Sequence, residues 1–265
     1  AYHSLAVDAF GGDVRAWGGN GSGQLGDGTT TQQPTPVSVS GLTNILSVDC
    51  GYVHSAAVTG IGTVKTWGAD FSGQLGNDAA LTNSSLPVDV PTASPLTLMI
   101  DVAAGQSHTT AARTTGVTRA WGSDGSGQIG DGGTNTNQPT PVGTTSPYTI
   151  KRVAVGGDYA DFSVYLTNDG LVYSCGADYN GGLGNDVPLV NQLSLVQVVG
   201  LGDICAIAAG DYHGLALRVD GTLYAWGYNG SGQLGLGTSG TIEPVPVTVT
   251  TDTWKPTIAV SIPDA

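Results

Sequence analysis

The sequence predicts an all-β protein, a β-propeller of about five four-stranded antiparallel blades. Three observations carry this expectation. The stretch YAWGYNGSGQLGLG from Tyr224 recurs with small changes as RAWGGNGSGQLGDG from Arg15, KTWGADFSGQLGND from Lys65, RAWGSDGSGQIGDG from Arg119 and YSCGADYNGGLGND from Tyr173. Self-similarity at this period marks an array of small packing units, and strand-like flanks around a Trp-Gly pair point to propeller blades. Strong helix formers are scarce, Glu243 and Met99 being single against 42 glycines, so almost no helix is expected. A second landmark, an apolar strand, a Gly or equivalent, two variable residues and a His, falls at His3, His54, His108 and His213, with Ala160 in its place in the fourth repeat. Its spacing of 51 to 55 residues holds across the wrap from residue 265 to residue 1, so the ends are in phase.

Within one repeat the elements follow from pattern. In the fifth, strand A covers residues 204–209, a Gly-Asp-Tyr turn leads to strand B at 213–219, and a hairpin at Asp220-Gly221 leads to strand C at 222–226. A glycine-rich loop through Gln233 and Leu234 then reaches a fourth strand at 245–249. Pro34, Pro36, Pro139, Pro141, Pro244 and Pro246 flank such fourth strands, where a lost N–H donor does least harm. One domain therefore spans residues 1–265, anchored at Trp17-Gly18, Trp67-Gly68, Trp121-Gly122, Cys175-Gly176 and Trp226-Gly227. The first repeat lacks strand A, and residues 257–262, TIAVSI, resemble one. Residues 257–265 and 1–40 are expected to share a blade, pairing the C-terminal strand with the N-terminal blade and removing two exposed edges. In-phase ends fit equally an excerpt of whole repeats from a larger ring.

The chain is long enough for a sizeable core. A net charge of -13 with only eight Lys and Arg argues against nucleic acid, whose binding draws on clustered basic side chains. No apolar run reaches the length of a membrane span, and no charged leader precedes one, so no membrane insertion is expected. The sequence starts without Met in mid-repeat, as a processed protein or an excerpt would. Cys50, Cys175 and Cys205 lack metal-ligand spacing and lie in apolar strand patterns, so buried thiols are expected. Richness in Ser, Thr and Gly with few Lys suggests an extracellular or cell-surface setting.

The ordered pattern AAGxxHxLAL, DGxLYAWGxNxxGQLG and PxxV resembles the regulator of chromosome condensation repeat, in a bacterial-type extracellular form, and it covers the whole chain. The resemblance implies a propeller with blades of this length and a loop face that docks proteins. A secreted bacterial β-lactamase inhibitor of similar fold uses aromatics in the corresponding loops, and nuclear members activate a small GTPase. This chain has neither a basic tail nor the additional Trp clusters of the family's plant ultraviolet photoreceptors. The best-known members have seven blades, which leaves open a five-bladed ring or part of a larger one.

The repeated residues read as scaffold. Trp17, Trp67, Trp121 and Trp226 can fill the wedge between blades. Gln24, Gln74, Gln128 and Gln233 can satisfy loop backbone groups, and the four His read as hydrogen-bonding rather than metal-ligating. The NGSGQLGDG loops lack the ligand ladder of a calcium site. No catalytic elbow, metalloprotease helix or phosphate loop occurs, so no enzyme, cofactor or metal is expected.

Function is therefore expected where the copies differ. Antiparallel order brings the turn before His and the loop after Trp-Gly to one face. That face collects Tyr2, Asn20, Tyr52, Asp70, Phe71, Asp124, Asp158, Tyr159, Asp178, Tyr179, Asp211, Tyr212, Tyr228 and Asn229. Exposed Tyr beside Asp suits a protein partner. The alternatives are a glycan, stacked on Tyr and hydrogen-bonded by Asp and Asn, and an architectural role in a larger surface protein or filament. The fourth repeat departs furthest, with Ala160-Asp161, Cys175 and Gly182 at landmark positions, as a degenerate blade or one that gained a binding role.

Overall fold

β-branched and small residues alternate with glycine-rich turns, and the backbone pairs locally into antiparallel meanders. A computed structural model describes residues 2–249 apart from 9–11, 78–80, 92–97, 114, 117, 134, 157–160 and 188. Its first blade has three described strands, β1 (His3–Val7), β2 (Val14–Gly18) and β3 (Gln33–Ser38). Four blades of four strands follow in chain order. They are β4 (Ile45–Cys50) to β7 (Ser84–Asp89), through β5 (His54–Thr59) and β6 (Val64–Gly68); and β8 (Met99–Ala104) to β11 (Gln138–Gly143), through β9 (His108–Arg113) and β10 (Arg119–Gly122). Then come β12 (Ile150–Val155), β13 (Phe162–Thr167), β14 (Val172–Gly176) and β15 (Gln192–Gln197), and last β16 (Ile204–Ala209), β17 (His213–Arg218), β18 (Leu223–Asn229) and β19 (Thr241–Thr248). Every strand pair is antiparallel, and the described residues contain no helix. The expected closing strand at 257–262 lies outside the described residues.

Each junction of the third and fourth strands carries a bulge at the Trp or Cys position, between Ala16 and Gly18, Thr66 and Gly68, Ala120 and Gly122, Ser174 and Gly176, and Ala225 and Gly227. At each, one residue of the third strand lies opposite three of the fourth, as Trp17 does opposite residues 34–36, and the ladder is interrupted there. The core is divided into four clusters, one per junction of consecutive blades. Val14, Leu25 and Val39 meet Ile45 and Trp67; Ala56 and Val64 meet Met99 and Trp121; Ala103 and Ala112 meet Val153 and Cys175; Val164 and Leu183 meet Ile204 and Trp226. Stability in such an array is close to a sum of nearest-neighbour terms.

A repeated hydrogen-bond network joins the blades. The Gln74 carbonyl of blade two accepts the Trp121 indole N–H at 2.9 Å and the Thr109 hydroxyl at 2.9 Å, both from blade three. Because that hydroxyl proton is committed to the carbonyl, His54 Nε2 of blade two donates to Thr109 Oγ1, at 2.9 Å. The same latch joins blades one and two through Gln24, Trp67, Ser55 and His3, and blades three and four through Gln128, Ser163 and His108, where Cys175 Sγ replaces the indole at 3.5 Å. Burial keeps these rings neutral, pushing His54 down to about 3 and His108 to about 4.

Two expectations are corrected here. The fourth-repeat equivalent of His is Phe162, not Ala160: Phe162 pairs with Gly176 as His54 pairs with Gly68. Ala160 itself lies outside the described residues. The junction of blades four and five thus has Phe162 for His, Gly182 for Gln and Gly214 for Ser or Thr, while Trp226 still donates to the Gly182 carbonyl at 2.8 Å. The His and its hydroxyl partner are lost together, which avoids leaving the ring N–H buried and unpaired. The second correction concerns the thiols. Cys175 is buried, but Cys50 and Cys205 are only partly so.

If the latch stabilises as described, Thr109→Gly leaves a buried His54 N–H unpaired, at a cost of about 1–3 kcal/mol beyond its backbone effect. In the Thr109→Gly background, His54→Phe then costs about 1 kcal/mol less than it does alone, a coupling readable in a double-mutant cycle by urea unfolding. Strict additivity would contradict the latch.

Candidate functional site

The loops of the candidate face are held side by side by backbone. The carbonyl before each His landmark accepts the N–H of the residue after Trp-Gly or Cys-Gly: Tyr2 from Gly19, Val53 from Ala69, Ser107 from Ser123, Asp161 from Ala177 and Tyr212 from Tyr228, at 2.7 to 2.9 Å. This close approach requires glycine in between. Gly68 has φ of 102°, and a Cβ there would lie 2.6 Å from the Val53 carbonyl oxygen. The turn before His and the loop after Trp therefore do emerge together, in all five blades.

The structure separates the expected site residues into two groups. Asn20, Asp70, Asp124, Asp178 and Asn229 are buried, each at most 1% exposed, and cannot meet a partner at the surface. Their Oδ1 atoms accept the N–H five residues on, from Leu25, Leu75, Ile129, Leu183 and Leu234, at 2.9 to 3.1 Å. They are loop staples, and the copies agree in being Asn or Asp. Where the staple is Asp, an Asn thirteen residues on accepts its backbone N–H: Asn83, Asn137 and Asn191. Where it is Asn20 or Asn229, its own amide donates to the Thr29 or Thr238 carbonyl. Burial raises the carboxyls of Asp124 and Asp178 to about 6, with the neighbouring Asp131 adding to the first.

The second group is exposed or partly so. Tyr2 is 71% exposed, Phe71 67% and Tyr179 64%, and Tyr228 and Asp211 are also at the surface. Tyr52 and Tyr212 are partly buried, supporting neighbours: the rings of Tyr2 and Tyr52 lie 5.8 Å apart, those of Tyr212 and Tyr228 6.1 Å. Asp158 and Tyr159 lie outside the described residues. Sequence reasoning passed over Asp161 because the fourth repeat was aligned two residues early; its partly exposed carboxyl occupies the position of Tyr2 and Tyr212.

Charge is partitioned in a way the repeat pattern alone hid. All seven described basic residues sit away from this face: Arg15, Lys65 and Arg119 near the starts of third strands, Arg113 and Arg218 at the ends of second strands, Lys151 and Arg152 in the first half of β12. The face instead carries Asp27, Asp131, Asp161, Asp186 and Asp211, each partly or fully exposed, and among its described residues no Lys or Arg.

A cavity of about 450 Å³ opens at the inner edge of blades two to five, between β4, β8, β12 and β16. Three carboxylates line it, Asp49, Asp101 and Asp211, and two of them tie adjacent blades: Asp49 Oδ2 accepts the Ala104 N–H at 2.8 Å and Asp101 Oδ2 the Val153 N–H at 3.0 Å, each from the next blade. Among the described residues, no group of three or more His, Cys, Asp or Glu is placed to hold a metal ion, and no helix is long and apolar enough to cross a membrane.

Known proteins share this architecture. The sequence pattern of the RCC1-like domain matches residues 1–262. The ultraviolet-B receptor UVR8 of Arabidopsis thaliana is 31% identical over 243 residues, covering 89% of this chain and 54% of the receptor. The human E3 ubiquitin-protein ligase HERC2 is 31% identical over 238 residues, 86% of this chain but 5% of that protein. The chain thus spans about half of one relative and a small part of the other. Among solved structures, human WBSCR16 superposes with a TM-score of 0.82 at 24% identity, over 94% of this chain and 65% of that one. Yeast RCC1 (Prp20), solved with Kap60, superposes at 0.79 with 22% identity, over 95% and 60%.

The buried staples give a pH signature. A carboxyl whose folded value lies above its unfolded one of about 4 favours folding when protonated, and that contribution is lost as pH rises through about 6. Asp124→Asn keeps the acceptor for Ile129 and cannot ionise, as in the first and fifth blades. The substitution is therefore expected to be near neutral at pH 4 and to gain on the order of 1 kcal/mol relative to the parent chain by pH 7, measured by thermal unfolding across that range.

Proposed function

The chain belongs to the RCC1-like domain family, and on that premise we propose that it is a non-enzymatic docking module whose loop face holds a protein partner rich in Lys and Arg. One observation carries this reading: exposed Tyr2, Phe71 and Tyr179 share a face with five acidic residues and, among its described residues, with no basic one. Aromatic side chains contribute contact area at low entropic cost, and carboxylates gathered on one face speed and orient encounter with a cationic surface. Structures of the same fold support the mode of action. Yeast RCC1 has been solved bound to Kap60, and Prp20p has been described with its binding to Gsp1p and histones. The relatives that are ligases or receptors are longer than the part matched here, and no activity of theirs is needed for this reading. An extracellular or surface setting is part of the proposal, resting on composition alone.

Selection of a random peptide display library on the immobilised chain tests the proposal. Enriched peptides are expected to combine Lys or Arg with an aromatic or aliphatic residue, and to lose at least about tenfold in affinity on the combined change Phe71→Ala, Tyr179→Ala and Asp211→Asn. Binding should weaken with salt. Enrichment of uncharged or acidic peptides, or affinity untouched by the triple change, would count against it. So would specific sugar binding on a glycan array, which would favour a lectin.

A further inference from the structure

Four of the five loops after Trp-Gly carry a Gln whose Oε1 accepts the backbone N–H two residues earlier, that of Ser22, Ser72, Ser126 or Ser231, at 2.8 to 2.9 Å. Gln24, Gln74 and Gln128 are buried in doing so. In the fourth blade Gly182 stands in the Gln position and Asn180 in the Ser position. Among the described residues the Asn180 N–H then has no acceptor. The backbone does not call for glycine at 182: unlike Gly181, with φ of 69°, Gly182 lies outside the left-handed region, and the atoms nearest to an added Cβ belong to the Phe162 ring, at 3.7 to 3.8 Å. A notch remains there, lined by Phe162, Ala177, Tyr179, Asn180, Gly182 and Tyr212, with room inside for about one water-sized group. Its lining runs from buried Phe162 through partly buried Tyr212 to exposed Tyr179, so it opens on the loop face between blades four and five. A backbone donor without an acceptor at such a place calls for an oxygen from outside.

We propose that this notch is a socket for one glutamine side chain of the docked protein, whose amide oxygen takes the place that Gln24, Gln74, Gln128 and Gln233 fill in their own loops. The inference rests on the docking reading above and adds to it the side chain that anchors the partner. The sister loops specify the occupant, since each sets the same oxygen on the same N–H. Other side chains suit the notch less well. Lys and Arg carry no acceptor and would leave the Asn180 donor unpaired. A carboxylate would meet the acidic face, Asp161 and Asp211 being next in sequence to Phe162 and Tyr212. A neutral amide supplies the oxygen without charge, and its NH2 group can lie against the rings of Tyr179 and Tyr212.

The test follows the Asn180 backbone amide by NMR in the whole chain, with propionamide as the stand-in for a glutamine side chain and n-propylammonium and propionate as charged controls of matched size. Propionamide is expected to shift the Asn180 resonance saturably, and the two ions are not. Gly182→Gln supplies the oxygen from within, so it should abolish the response, while Gly182→Ala keeps it. In the peptide selection, changing the Gln of an enriched peptide to Ala should cost at least about fivefold in affinity for the parent chain and nothing measurable for Gly182→Gln. The propionamide titration of the parent chain stands even if Gly182→Gln does not fold. The inference is overturned if propionamide leaves Asn180 unmoved, if either ion shifts it as strongly, or if Gly182→Gln leaves peptide affinity unchanged. Enriched peptides that depend on Phe71 and Asp211 but carry no Gln would overturn the socket and leave the docking face standing. A saturable propionamide response with no peptide enriched would support the socket and count against the docking reading.

Discussion

One carbonyl oxygen per blade, that of Gln24, Gln74, Gln128 or Gly182, carries the junction to the next blade. It lies in a glycine-rich loop and is reached by an indole or thiol from the following third strand. In three junctions a hydroxyl from the following second strand reaches it too. The remaining repeated features follow from that meeting point. The ladder breaks at the Trp, glycine leaves room for it, Gln Oε1 closes the loop on the N–H of Ser22, Ser72 or Ser126, and the His supplies the hydroxyl with a donor. The core is divided because the latch is local. Each apolar cluster closes between two blades and none runs through the whole molecule, so a blade is stabilised by its neighbours alone.

The fourth junction shows how such a unit changes. Phe162, Gly182 and Gly214 remove ring donor, loop side chain and hydroxyl at once, keeping only the indole bond to the carbonyl. Glycine in place of the hydroxyl alone would strand the His donor; with Phe162 in place of His, the contact is apolar. The divergent repeat is thus a consistent alternative solution at its following junction. At its preceding junction it still answers His108 with Ser163, and offers Cys175 in the place of Trp.

Repetition made the architecture legible. Strand A of the fifth repeat was readable to the residue, and the Trp, Gln and His positions were recognisable as scaffold, because every copy obeys the same packing rule. The candidate site was only half legible. Asn20, Asp70, Asp124, Asp178 and Asn229 looked variable because Asn and Asp differ in charge, yet both offer the one oxygen the loop needs. The compensating Asn at 83, 137 and 191, present where the staple is Asp, was the signal that could have revealed this. The early alignment at Ala160 came from following spacing across a turn three residues longer than its counterparts, which only strand register resolves. The separation of charge was present in the sequence too, but it becomes visible once each strand's direction assigns its ends to a face.

The central claim is that the indole N–H of Trp67, Trp121 and Trp226 reaches back to the preceding blade's loop carbonyl. Hydrogen–deuterium exchange of the indole N–H groups, followed by NMR, tests it most directly. The account predicts slow exchange for Trp67, Trp121 and Trp226, limited by opening of the blade junctions. Fast exchange at Trp67, Trp121 or Trp226 would contradict it.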